Sequence, residues 1–169
     1  MPLNTCQQYL YTQLNGLNLP LGLGQLEAFI MPLPANDSAN AGAYIYGSHH
    51  DEVRKAVPRA RPGVLSSGGL KELTWQIDVW LLWFGQFDEP NVDLQFPSIV
   101  DFVCAVLRNA PLVQAADHAM DPVTGQLSQL LAVGERLSST MPPPRAVADQ
   151  ALWRYDAAIT CEIVEEIQA

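Results

Sequence analysis

Two long segments of the chain alternate between apolar and polar residues, which is the pattern of a strand with one buried face. The first covers residues 70–84 and the second covers residues 151–167. Each is more than twice as long as a typical strand of about 5–6 residues. In the first segment the other face also becomes apolar from Trp80 onwards, through Leu82 and Phe84. The pattern therefore predicts two long strands, one of which is covered on both faces near its end.

Residues 97–109 carry apolar side chains at helical spacing, which predicts a helix with one face towards a core. Pro97 suits the first turn of this helix, and Ser98 is a candidate for its N-cap. We expect Phe102 to be buried, because it lies in the apolar stripe. The stripe consists of Ile99, Phe102, Val103, Val106 and Leu107.

Shorter elements complete the predicted fold. They are a helix over residues 3–15 and strands over residues 26–31, 43–47 and 127–133. We expect residues 48–69 to form a long irregular loop, and the proline run at 142–144 to act as a stiff linker. The sequence predicts one α+β domain over residues 1–169. Its mainly antiparallel sheet contains the two long strands, with one main helix packed on it and a short N-terminal helix.

The composition points to a folded chain with little charge. Apolar residues make up 49% of the 169 residues and charged residues 16%, against a typical charged fraction of about 25%. A disordered acidic chain is thereby excluded, and some apolar surface is expected to be buried against other chains. The net charge of −9 disfavours a general nucleic-acid binder, which usually has a basic domain.

The cysteine spacing and the absence of long apolar runs predict a protein of a reducing compartment. Cys6, Cys104 and Cys161 are far apart, odd in number and include no Cys-x-x-Cys pair. The N-terminal residues lack the basic and apolar regions of a secretory leader, so none is expected. No apolar run approaches the roughly 20 residues of a membrane helix, so no membrane association is expected.

The sequence offers little for catalysis. It contains no phosphate-binding loop, dinucleotide fingerprint or nucleophile elbow. The run from His49 to Glu52 is either a metal-binding loop or, more simply, a polar loop, because its spacing matches no standard site. Cys104 and Cys161 lie in apolar patterns, and we expect them to be small core residues. We therefore expect no catalytic residues, no metal and no cofactor, and a protein that is not an enzyme.

Four of the nine cations fall within eight residues of the predicted loop, at Arg54, Lys55, Arg59 and Arg61. One interpretation is a solvated loop that moderates a negative domain. The other is a contact arm for an acidic partner or a phosphate backbone. The two are equally favoured by the residues themselves, so these four cations are interface candidates.

Trp80 lies on the opposite face of its predicted strand from Trp75 and Trp83. A partner surface and cover from the same chain explain this position equally well. Trp80, Leu82 and Phe84 are therefore the second group of interface candidates.

Three passages support a resemblance to a known family. Residues 70–81 are LKELTWQIDVWL, residues 96–103 are FPSIVDFV and residues 152–160 are LWRYDAAIT. Together they resemble the tail terminator proteins of long-tailed bacteriophages, also called tail-to-head joining or tail completion proteins. The resemblance covers residues 70–167 best and extends to the N-terminal third only through the order of elements.

The resemblance implies a small α+β domain that forms a six-membered ring on the last ring of the tail tube. Such a ring stops tube polymerisation and offers a surface to the head connector or neck protein, while genomic DNA passes through its channel without specific recognition. It implies a virion protein that is assembled in the host cytoplasm and has no catalytic residues. The loop containing prolines and arginines departs from the family pattern.

These implications lead to two expectations about assembly. Trp80, Leu82 and Phe84 should contact a neighbouring subunit in a closed head-to-tail ring. Arg54, Arg59 and Arg61 should lie at subunit or neck contacts. Two other functions remain open: another neck, head-completion or tail-tube subunit, and a small metal- or ligand-binding domain that uses the loop from His49 to Glu52.

Overall fold

A computed structural model describes residues 3–32, 41–55, 70–86, 91–109, 119–120, 127–147 and 151–168. The elements in chain order are α1 (Leu3–Leu14), a 3-10 turn (Pro20–Gly22), β1 (Glu27–Phe29), β2 (Ala41–Lys55), β3 (Leu70–Gln86), α2 (Val92–Arg108), β4 (Ala119–Met120), β5 (Leu127–Thr140), β6 (Arg145–Ala146) and β7 (Leu152–Gln168).

The strands form one sheet in the order β1-β2-β3-β7-β5-β4, and β6 pairs with β7. The pairing of β1 with β2 is parallel, and the other pairings are antiparallel. Four long strands, β2, β3, β7 and β5, make up most of the sheet. The predicted α+β fold with a mainly antiparallel sheet, a main helix packed on it and a short N-terminal helix is confirmed. The two predicted long strands are β3 and β7, and β2 and β5 are long as well.

Both helices pack on one face of the sheet, which we call the inner face. The predicted alternation places Ile77, Val79 and Leu81 of β3 on this face, and each is at most 1% exposed. Ile159 of β7 lies beside Val79 and is also fully buried. The helices contribute apolar side chains to the same core. They are Cys6, Leu10 and Leu14 of α1, and Val92, Phe96, Ile99, Val100, Val103, Cys104 and Leu107 of α2.

Three aromatic rings join β3, α2 and β7 at one end of this core. The ring centroid of Tyr155 lies 5.3 Å from that of Trp83 and 5.4 Å from that of Phe96. The Tyr155 hydroxyl donates a 2.5 Å hydrogen bond to Asp93 Oδ1 in the first turn of α2. The buried polar group is therefore satisfied where the start of the helix meets the sheet.

The main helix begins five residues earlier than the predicted range of 97–109. Asn91, in the left-handed conformation, precedes it, and the Asn91 carbonyl accepts bonds from the backbone N–H groups of Leu94 and Gln95. Pro97 therefore lies inside the helix rather than in its first turn. Ser98 does not cap the helix, because its hydroxyl donates to the Leu94 carbonyl at 2.9 Å.

The expectation that Phe102 is buried was wrong. Phe102 is half-buried and lies outside the core cluster, whereas Val100 and Cys104 belong to it. Val100 and Cys104 belong to the buried face of α2, and each is two residues from Phe102, so Phe102 lies on nearly the opposite side of the helix from them.

The predicted loop over residues 48–69 was wrong in its first part. Residues 48–55 continue β2, which pairs with β3 as far as Lys55 beyond a bulge between Gly47 and His49. Residues 56–69 lie outside the described residues. Strand β5 is likewise longer than predicted and continues to Thr140, with irregular register after Leu130 and Val133.

The proline run occupies a break between two strands on the same edge of β7. Thr140 of β5 pairs with Ala158, and Arg145 of β6 pairs with Arg154. Residues 142–144 lie between them, and proline has no N–H with which to continue the ladder. The prolines therefore interrupt a paired edge.

Candidate interaction surface

The face of the sheet opposite the helices, which we call the outer face, carries an aromatic cluster. Trp80, Leu82 and Phe84 of β3 all lie on it, as their alternation with the core residues requires. Trp80 and Phe84 are half-buried, but Leu82 is only 1% exposed. Leu82 therefore forms the floor of the cluster and does not offer surface to a second subunit, contrary to its expected role.

Strands β1 and β2 extend the cluster sideways. The ring of Tyr44 lies above Gly42, where an added Cβ would come within 2.9 Å of it. Phe29 stacks on Tyr44, with ring centroids 5.0 Å apart and an interplanar angle of 15°. Because Gly42 has no side chain, Tyr44 lies low on the sheet and is only 2% exposed.

Tyr46 fixes the orientation of Trp80. The Trp80 Nε1–H donates a hydrogen bond to the Tyr46 hydroxyl across the β2–β3 pair. A buried or interfacial tryptophan normally satisfies its single N–H in this way. The apolar part of the indole is therefore held in one orientation on the outer face. We call the outer-face residues Phe29, Tyr44, Tyr46, Trp80, Leu82 and Phe84 the aromatic band.

An ion pair between buried Asp156 and half-buried Arg154 borders the aromatic band. Asp156 of β7 pairs with Leu82 in the ladder and is only 5% exposed. Arg154 Nε lies 3.0 Å and 3.2 Å from the two carboxylate oxygens of Asp156, and Arg154 Nη2 lies 3.0 Å from Oδ1. This bidentate geometry satisfies the carboxylate within the chain. The floor of the cluster thus presents no free negative charge at Asp156.

Farther along the outer face the surface becomes polar. A hollow of about 210 Å³ is lined by Gln76, Arg136, Ser138, Thr160 and Glu162. Beside it, the Thr160 hydroxyl donates a 2.7 Å hydrogen bond to Asp78. The hollow contains both charge signs, and Arg136 Nη1 lies 4.0 Å from Glu162 Oε2, which is typical of a polar strand surface.

The four clustered cations do not form one loop. Arg54 and Lys55 are the last residues of β2 and pair with Lys71 and Leu70 of β3. Arg59 and Arg61 lie outside the described residues. Their expected role at contacts stays a prediction.

The segment from His49 to Glu52 is strand rather than loop. His49 is exposed and lies opposite Gln76 of β3. Among the described residues, no three His, Cys, Asp or Glu side chains come close enough to share a metal ion.

The cysteines are buried, as the sequence predicted for Cys104 and Cys161. All three thiols are free, and burial raises the pKa of Cys6 to about 12 and also raises the pKa of Cys104. A thiol with so high a pKa has little thiolate at neutral pH and reacts slowly.

Sequence reasoning missed the contribution of β1 and β2 to the outer face. Tyr44 and Tyr46 alternate with Ala43 and Ile45, and this pattern could have identified an aromatic outer face. Phe29 had no such signal, because its strand is only three residues long.

Neither helix in the described part of the chain has the length and hydropathy that crossing a membrane requires. The chain matches no known protein family and no curated protein.

Proposed function

We propose that the protein is a structural ring subunit at the head-proximal end of a bacteriophage tail tube. It ends tube polymerisation and joins the tail to the head connector, and DNA passes through the ring. Its role is structural rather than catalytic, and the ring is a hexamer by the resemblance of residues 70–81, 96–103 and 152–160. These three passages lie on β3, α2 and β7.

The observation that carries this proposal is the aromatic band on the outer face. A two-layer α+β domain needs only one apolar sheet face to cover its helices. Here the second face holds Trp80 and Phe84, both half-buried, around the fully buried Leu82. Tryptophan and other aromatic residues are enriched where protein surfaces bind each other. The band therefore supports a subunit that buries this face in an assembly.

The two sides of the domain are compatible with a head-to-tail ring. The helices occupy the inner side and the band lies on the outer side, so the two sides of the domain are chemically different. Contacts between unlike sides are heterologous, and they close into rings when the rotation between neighbours allows it.

The charge of the chain fits a DNA channel. A net charge of −9 per subunit is unsuited to holding DNA, because affinity for the phosphate backbone comes from cations. A ring of such subunits carries a large negative charge, which favours passage of DNA over its retention.

The first test measures the mass of the purified full chain in solution over a range of concentrations. We expect a discrete ring in sedimentation and in electron micrographs. Trp80→Asp places a charge in the band and should weaken assembly at least tenfold, while the unfolding midpoint changes little. Val53→Asp is the control, because Val53 is exposed and lies near the far end of the neighbouring strand β2. A chain that stays monomeric at all concentrations would overturn the proposal.

A second test concerns the tail itself. The chain is added to tubes assembling from a tail tube protein of the same genome, and tube lengths are measured. We expect tubes to stop growing and to gain the ability to join heads. Tubes that keep growing at saturating chain concentration would show that the chain is not a terminator, even if it forms rings.

A further inference from the structure

The N-terminal segment has no charged side chains. Asp, Glu, Lys and Arg make up 16% of the chain, yet none occurs in residues 1–26. This segment forms α1 and the turn that follows it. Its exposed residues include Gln8, Thr12 and Leu21. We call the exposed side chains of residues 6–26 the neutral face.

A closed turn forms the tip of the neutral face. The backbone N–H of Leu19 donates to the Gly24 carbonyl at 2.8 Å, and Gln25 Nε2 donates to Asn18 Oδ1 at 3.1 Å. At the tip, Leu21 is 72% exposed, the highest exposure among the large apolar side chains described. The turn therefore holds an apolar side chain out into solvent.

The tip is built at a conformational cost. Leu21 has φ 59° and ψ 17°, in the left-handed region that leucine rarely adopts. Such a conformation persists only when its surroundings enforce it, and it is commonly associated with a functional position. The hydrogen bonds at the base of the turn supply that enforcement. A rigid tip loses little conformational entropy when it binds, which favours a contact.

The charge of the chain favours a second copy as the partner. Two copies carry a net charge of −9 each and repel one another. A contact between copies is therefore most favourable where carboxylates are absent, and the centres of interfaces are depleted in charged residues. The neutral face meets this requirement.

The surface that fits the tip lies on the other side of the domain. The neutral face belongs to the helix layer, because Leu10 and Leu14 of α1 and Leu19 and Leu26 of the turn enter the inner core. The aromatic band lies on the outer face of the sheet. An apolar tip on one side and an aromatic cluster on the other can join copies head to tail.

We propose that the neutral face of one copy binds the aromatic band of the next, with Leu21 seated against Trp80 and Phe84. The contact specifies how neighbouring subunits of the proposed ring bind each other. It rests on the proposed function, because a ring is what allows the repeated contacts to close. Each copy then uses both of its sides, so the same contact repeats around the ring.

Disulfide trapping tests the geometry of the contact in the full chain. Leu21→Cys and Phe84→Cys are made as separate proteins and mixed under mild oxidation. We expect a disulfide-linked dimer in the mixture and little in either protein alone. The double variant should give a ladder of covalent species that ends at the ring size. The natural sequence is the control, since its three thiols are buried.

Leu21→Asp tests the energetics. Because Leu21 is exposed, the fold should survive, and self-association should weaken at least tenfold. Val53→Asp is the matched control, since Val53 is 53% exposed and lies near the far end of β2. The control should associate as the natural sequence does.

The outcomes separate this contact from the proposed function. Rings that form normally with Leu21→Asp, or dimers that form from Leu21→Cys alone, would overturn the contact and leave the ring in place. A natural sequence that stays monomeric would overturn both. Binding of the neutral face to a different tail or neck protein, without self-association, would also overturn the contact.

Discussion

Gly85 sets how closely α2 approaches the sheet. It lies on the inner face two residues after Trp83, and an added Cβ would lie 2.2 Å from Val92 Cγ2 and 2.8 Å from the Trp83 ring. Because Val92 is the first residue of α2, Gly85→Ala should force the start of the helix away from β3. We expect the free energy of unfolding to fall by about 1–3 kcal/mol, the usual cost of overpacking, measured by urea denaturation.

The double variant Gly85→Ala/Val92→Ala provides the control. Removing the Val92 methyl groups makes room for the new Cβ, so Gly85→Ala should cost less on the Val92→Ala background than on the natural one. The effects of two substitutions on the free energy of unfolding are not additive when the residues are in contact, whereas they add when the sites are independent. Strict additivity of the two changes would show that the close approach is not the cause.

Tyr155 makes the fold sensitive to high pH. Burial, reinforced by the hydrogen bond to Asp93, raises the pKa of Tyr155 above its ordinary value of 10.0. The stabilising effect is present below pH 10, where the phenol is neutral in both states. As the pH rises above 10, the unfolded chain ionises first, so stability falls by up to about 1.4 kcal/mol per pH unit from this group.

Tyr155→Phe should therefore lose about 1 kcal/mol at neutral pH, through the missing hydrogen bond, and decline less steeply above pH 10. The measurement is the unfolding midpoint as a function of pH. Tyr11→Phe is the control, because Tyr11 is a half-buried tyrosine on α1. If Tyr155→Phe and the natural sequence decline in parallel above pH 10, Tyr155 does not account for the alkaline loss.

At the scale of elements, the rotation of α2 about its own axis determines which of its side chains pack on the sheet. Leu107 is fully buried, so Leu107→Ala should lower the free energy of unfolding by about 2–5 kcal/mol. Phe102 is half-buried beside the packed face, so Phe102→Ala should cost at most about 2 kcal/mol. If urea denaturation showed the same loss of unfolding free energy for both variants, the observed orientation of the helix would be contradicted.

The two long strands could be predicted because their alternation reports burial directly. Strand β3 differs from its predicted range by two residues, and β7 is shifted by one. The second half of β2 could not be predicted, since the run from His49 to Lys55 is dominated by polar and charged residues. Its strand conformation comes from pairing with β3, which supplies hydrogen bonds irrespective of side-chain polarity.

The start of α2 was missed for a different physical reason. Pro97 resembles a helix-start signal, because proline fits the first turn without losing a hydrogen bond. Inside the helix it leaves the carbonyl four residues earlier, that of Asp93, without its usual donor. The contacts of Val92 and Phe96 with the core offset this loss, and tertiary contacts of this kind are invisible to local sequence patterns.

At the scale of the whole molecule, the candidate surface could be predicted only in part. Trp80 and Phe84 were found because they break the expected polarity of their face. The full burial of Leu82 depends on its neighbours across strands, which alternation along one strand does not reveal. The neutral face is visible in the sequence as an absence of charge, but its position on the helix side required the structure.

The distribution of cations leads to a prediction about assembly. Arg54 is the second-last residue of β2, and Arg59 and Arg61 follow within seven residues, so three of the nine cations are close in the chain. Copies with a net charge of −9 supply acidic surfaces for such a group. Exposed ion pairs contribute only about 0–1 kcal/mol, whereas arginines desolvated at an interface can contribute much more. We therefore expect these arginines to act at contacts between subunits or with the neck.

Replacing Arg54, Arg59 and Arg61 together with Ser should leave the unfolding midpoint unchanged and reduce the joining of tails to heads. As the salt concentration is raised, the ring of this variant should dissociate at a lower concentration than the natural ring does, because attractive charges at its contacts are lost. A second triple variant, with Ser at the exposed positions Arg108, Arg136 and Arg145, changes the net charge equally and should behave as the natural sequence does. If both variants join heads normally and their rings resist salt equally, the three arginines are solvated and make no contact. If both variants lose joining to the same extent, net charge rather than the position of the arginines governs assembly.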